Sequence, residues 1–80
     1  MKDIFNKDLI VGKEYLFYND KNGILRVCYG IFISPTKTRL ATLQVTKTFI
    51  VLNNQPLEEY DFYSKDNKVF VKPFKLVPVN

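Results

Sequence analysis

Apolar and polar positions alternate along much of this chain with the two-residue period of β-strands. The longest such run is Ile24 to Ser34, launched by Asn22-Gly23 and stopped by Pro35. Its odd positions, Leu25, Val27, Tyr29, Ile31 and Ile33, are all apolar or aromatic, and the pattern predicts that they face the core. The even positions then present Arg26, Cys28, Gly30 and Phe32 on the other face. Gly30 has no side chain to pack, which predicts a bend or bulge where the strand curls. Asn22-Gly23 tolerates the positive φ that a tight hairpin needs, so the run pairs with the aromatic strand before it, Glu14 to Tyr18.

Beyond the loop Pro35 to Arg39 the alternation resumes with Ala41, Leu43, Val45, Phe49 and Val51. Lys47 breaks that set, which predicts an irregularity near Thr46 to Thr48 and two strands there; one long bent strand is the competing reading. Asn53-Asn54-Gln55-Pro56 is a breaker. Pro56, Glu58 and Glu59 suit the first turn of a helix, so a short helical turn is expected near residues 56–62. Val69 to Val71 reads as a short strand, and the proline-containing end of the chain, Lys72 to Val79, reads as an edge segment.

Five or so short strands with polar turns predict a single all-β domain over residues 1–80, a small curled five-stranded sheet or barrel. The layout over residues 9–79 resembles SH3-like barrels: Gly12-Lys13 leading into the first strand, a hairpin, a bent strand carrying Gly30, and a terminal segment with Pro73 and Pro78. The resemblance is one of pattern, and it favours an SH3-like over an OB-like barrel. Fold analogy alone implies no activity.

With 80 residues and 46% hydrophobic composition the chain suits a folded domain, and its single cysteine, Cys28, allows no internal disulfide. A reducing, cytoplasmic location is the expectation. The first residues, Met1 to Asp8, mix charges and lack the apolar stretch of a secretory signal, and no apolar run is long enough to span a bilayer.

The chain contains no histidine, which removes the commonest general base, the usual nucleophile pairs and the usual metal ligand. Gly12, Gly23 and Gly30 stand far apart and form no phosphate-binding loop. No enzyme activity, cofactor or metal site is therefore expected. Cys28 beside Arg26 reads as a small packed residue rather than a nucleophile.

Charge is laid out in blocks. Residues 21–56 carry Lys21, Arg26, Lys37, Arg39 and Lys47 with no acid, and residues 57–64 carry Glu58, Glu59 and Asp61 with no base. The acidic block interleaves Tyr60, Phe62 and Tyr63, a combination suited to anchoring a protein interface. The first expectation is thus a small regulator or inhibitor that acts by protein contact through Glu58, Glu59, Tyr60, Asp61, Phe62 and Tyr63. The abundance of Lys, Asn, Ile, Phe and Tyr would suit a phage or mobile element. The alternative is nucleic-acid binding, with Arg26, Lys37, Arg39 and Lys47 on phosphates and Phe32 stacking on bases. Exposed strand edges also make a homodimer an expectation to weigh.

Overall fold

The computed structural model describes residues 1–21, 23–37, 39–52, 55–57 and 68–79. They form an all-β fold in one antiparallel sheet: β1 (Glu14–Lys21), β2 (Ile24–Pro35), β3 (Ala41–Leu52), β4 (Gln55–Leu57), β5 (Lys68–Val71) and β6 (Val77–Pro78). A 3-10 turn at Pro73–Lys75 precedes β6. Lys21 pairs with Ile24, so a two-residue loop joins β1 to β2, and Gly23 takes φ +77° there. That conformation is open to glycine and strained for most other residues.

The strand order is β4-β3-β2-β1-β6, with β5 pairing the same edge of β3 as β4 but at its other end. β4 lies along Ile50 to Leu52 and β5 along Ala41 to Gln44. The sheet is not closed into a barrel: among the described residues no ladder joins β5 to β1 or β6. Residues 56 and 57 lie in a strand and not in the expected helical turn, and residues 58–62 lie outside the described residues. Among the described residues no helix is long and apolar enough to cross a membrane.

β2 buries the opposite face from the one its apolar pattern predicts. Cys28, Gly30 and Phe32 point into the core, while Leu25, Val27, Tyr29, Ile31 and Ile33 are only half-buried. The reason is volume. Register sets Tyr15 opposite Gly30 and Phe17 opposite Cys28, so two large rings of β1 fill the space above two of the smallest side chains of β2. Phe32, expected at a surface, is 4% exposed and meets Tyr15 edge-on at 6.4 Å between ring centroids. Close packing selects a face by summed volume across strands, which hydrophobic periodicity within one strand does not measure.

β3 is one strand with a bulge, the competing reading of residues 40–52. Tyr29 pairs with Lys47 and Gly30 with Val45, leaving Thr46 as the extra residue. A one-residue insertion flips the faces of everything beyond it. Ala41, Leu43 and Val45 are therefore buried on one side of Thr46, and Thr48 and Ile50 on the other. Gly30 sits at this irregularity: a Cβ there would lie 2.9 Å from the Cβ of Leu43 and 3.0 Å from the carbonyl oxygen of Gln44. A second register shift between Phe32 and Ser34 leaves Ile33 as an extra residue on β2.

The chain ends close the bottom of the sheet. Ile10 N–H donates to the hydroxyl of the buried Tyr15 at 2.9 Å, and Val79 N–H donates to the Glu14 carbonyl at 3.1 Å. Asp3 is buried, and its carboxylate accepts from the N–H groups of Phe5 (2.8 Å) and Lys7 (3.1 Å), which holds the first turn together. The exposed Lys2–Asp8 ion pair (2.8 Å) fastens that turn's ends and holds the Asp8 carboxyl below its ordinary pKa, by hydrogen bond first and by charge second.

Two substitutions test this arrangement. Gly30→Ala must displace backbone or core atoms and is expected to lower stability by about 1–3 kcal/mol in urea denaturation. Phe32→Ala should cost about 3–5 kcal/mol, a large part of the roughly 4–12 kcal/mol that such a domain commands. Ile33→Ala, on the half-buried face, should cost clearly less; an equal or greater loss would contradict the assigned core face.

Candidate functional site

Alternation in β1 and β5 sets out an aromatic surface. In β1, Tyr15 and Phe17 enter the core, which turns Tyr18 outward. In β5, Val71 is buried and Val69 packs against the core, which turns Lys68 and Phe70 outward. Pro73 then fixes a backbone angle suited to the start of the 3-10 turn. Leu76, fully buried, anchors the segment, and Val77 and Pro78 pair with Leu16 and Tyr15. This return brings Phe74 and Lys75 beside Tyr18. Ile4 N–H donates to the Leu76 carbonyl at 3.0 Å and adds Ile4 to the same surface.

The result is a groove of about 470 Å³ along the open seam of the sheet. One wall is Phe17, Tyr18 and Asn19 of β1, and the other is Val69, Phe70 and Val71 of β5. Leu40 and the two lysines Lys72 and Lys75 complete it. A smaller depression of about 260 Å³, between Ile4, Tyr18, Phe74 and Lys75, continues the groove, since Tyr18 and Lys75 line both. Tyr18, Phe70 and Phe74 are 59%, 61% and 58% exposed. Among the described residues no carboxylate lines either part. Exposed rings gathered around a cationic cleft are costly to leave in water and mark a contact surface.

The residues proposed from sequence for nucleic-acid contact do not share one face. Phe32 lies in the core and has no exposed ring to offer a base. Arg26, half-buried, pairs in register with Asn19 and Ile50 and is on the core-facing side of β2. Lys37 and Arg39 are exposed in the β2–β3 loop, where Arg39 takes φ +66° and its N–H donates to the Thr36 carbonyl at 3.2 Å. Arg26 and Pro35 stand nine positions apart along β2, at most roughly 30 Å. Lys47 is on the face opposite the core, its ammonium 4.5 Å from the Tyr29 ring centroid and 6.0 Å from that of Phe49. Those two rings meet edge-on at 5.8 Å, so Lys47 caps an aromatic pair. Glu58, Glu59, Tyr60, Asp61, Phe62 and Tyr63 lie outside the described residues.

The groove residues were not singled out from sequence. The available signals were Tyr18 and Phe70 on the outward phase of their strands and the run Lys72-Pro73-Phe74-Lys75. None of these says that the chain end returns to β1, and that return is what gathers them.

Among the described residues no group of three or more potential metal ligands comes together. Cys28 is buried and its thiol donates to the Tyr29 carbonyl over a long 3.8 Å. Burial pushes its pKa up to about 12, the opposite of an activated nucleophile. Compared with known proteins, the chain matches no family model, no curated protein and no solved structure.

The state of Cys28 is directly measurable. Its folded pKa lies above that of an unfolded thiol, so the unfolded state loses its proton first as pH rises, and stability contributed by the protonated thiol falls from about pH 9 toward 12. Cys28→Ala should therefore lose less stability than the native chain between pH 9 and 11 in urea titrations. A disulfide reagent at pH 8 should label the native thiol at least about a hundredfold more slowly than the urea-unfolded one. Fast labelling of the folded protein would overturn the assigned burial.

Proposed function

We propose that this chain is a small non-enzymatic binding module, a regulator or inhibitor that works by contact with another protein. The observation that carries the reading is the gathering of Tyr18, Phe70 and Phe74, all largely exposed, around one groove on a fold of this size. Aromatic anchors around a pocket are the usual energetic centre of a protein interface. The absence of histidine and the high thiol pKa of Cys28 favour binding over catalysis.

An SH3-like arrangement is the finer fold reading. It is supported by the hairpin of β1 and β2, the bulged partner strand β3, and the terminal strand β6, which leaves a 3-10 turn and pairs with β1. The single cysteine supports a reducing, cytoplasmic setting.

Nucleic-acid binding is the second reading, and Lys72 and Lys75 beside exposed rings are the observation in its favour. Against it, the basic residues Arg26, Lys37, Arg39 and Lys47 are scattered over separate surfaces, so no continuous track for a phosphate backbone results.

Capture from a native lysate of the source cells, with and without nuclease, separates the two. The native chain should retain one partner protein in stoichiometric amount after nuclease treatment. Tyr18→Ala with Phe74→Ala, both at exposed positions, should abolish that retention with an unchanged circular dichroism spectrum. Tyr60→Ala with Phe62→Ala tests the acidic stretch in the same way. Retention that nuclease or moderate salt removes would replace the protein-contact reading with the nucleic-acid one.

A further inference from the structure

We propose that the groove between β1 and β5 takes an extended acidic segment of a partner protein, which adds as a strand to the outer edge of β5. The inference rests on the protein-contact reading and specifies its occupant. Its first support is topological. β5 pairs with β3 on one side, and among the described residues no strand lies on its other side. Backbone N–H and C=O groups along such an edge form a ready template for another chain. The groove runs along this edge, with Val69, Phe70 and Val71 forming one of its walls. Four residues of β5 present about 13 Å of it.

The second support is the chemistry of the outward face of β5, where Phe70 lines the groove and Lys68 stands next to it on that side of the strand. Lys68 and Phe70 project from the same outward face of β5, two residues apart. An incoming strand therefore meets a cation and a ring in alternate positions. Cross-strand pairs are most favourable between opposite charges and between aromatic and β-branched or aromatic residues, and like charges repel. A glutamate or aspartate opposite Lys68 and a Val, Ile or Phe opposite Phe70 satisfy both. Lys72 and Lys75 extend the preference for acid beyond the end of β5, and among the described residues that line the groove none carries a carboxylate. A nucleic acid would use the lysines and rings but would leave the strand edge unmet, so the edge favours a polypeptide.

The test uses fluorescence anisotropy with the full chain and a labelled octapeptide, Glu-Thr-Val-Thr-Glu-Thr-Val-Thr in sequence, which sets glutamate and valine two residues apart on one face. It should bind. Binding should weaken at least about tenfold when its glutamates are replaced by lysine, and likewise for Lys72→Glu with Lys75→Glu, both at exposed positions. Strand addition leaves a specific signature: methylating alternate backbone nitrogens of the peptide in one phase should abolish binding, and in the other phase should leave it nearly intact. If both phases behave alike, strand addition is overturned while protein contact through the groove stands. If the acidic octapeptide does not bind at millimolar concentration, the inference is overturned. If labelled oligothymidylate binds in its place, the protein-contact reading falls with it.

Discussion

The close approach of β3 to β2 at Gly30 is the constraint on which the rest of this structure depends. The backbone of Gln44 and the Cβ of Leu43 occupy the space where any side chain at Gly30 would begin. Opposite, Thr46 bulges out of the ladder and reverses the faces of β3 beyond it. A bulge bends its strand and increases the local twist. With twelve residues in each of β2 and β3, that bend is what lets one sheet wrap around its own core. It is also what turns β1 toward β5, since the two lie on opposite sides of the β2–β3 pair. The groove is thus a consequence of curvature that stops short of closure.

Packing on the concave side follows from the same site. Tyr15 stands opposite Gly30 in register, reaches Phe32 edge-on, and accepts a hydrogen bond from the N–H of Ile10 through its hydroxyl. A buried tyrosine hydroxyl needs such a partner, and here the partner ties the segment before β1 to the core. Glu14 is held from two sides, its carbonyl by Val79 N–H and its carboxylate by the hydroxyl of the bulge residue Thr46 at 3.0 Å. The bulge is therefore linked across β2 to the strand that carries one wall of the groove.

The positions of β1, β2 and β5, the hairpin loop, the bend near Gly30 and the irregularity at Thr46 to Thr48 were legible in the sequence because each rests on local chemistry: period-two alternation, turn residues, a missing side chain, a lysine out of phase; the strand at Gln55–Leu57, read as a breaker and a helical turn, was not. The core face of β2 was not. Leu25, Val27, Tyr29, Ile31 and Ile33 are more apolar than Cys28 and Gly30, and only the register with Tyr15 and Phe17 shows that the small residues leave room for the large ones. Phe32 was misread as an exposed ring for the same reason. The candidate groove depended on still longer-range information, since Tyr18 and Phe74 lie far apart in the chain and meet only because Leu76 is buried and Val77–Pro78 pairs with β1.

An open seam carries a risk of its own, because an uncovered strand edge can pair with the same edge of another copy. The charges of this edge bear on that risk and on the proposed function together. Two copies meeting through β5 would bring together two edges, each bearing Lys68 and followed by Lys72 and Lys75. Like charges across a strand pair oppose such an association, while an acidic strand meets the same lysines with the opposite sign. The cations that would select an acidic partner are therefore also the ones that would oppose pairing between two such edges.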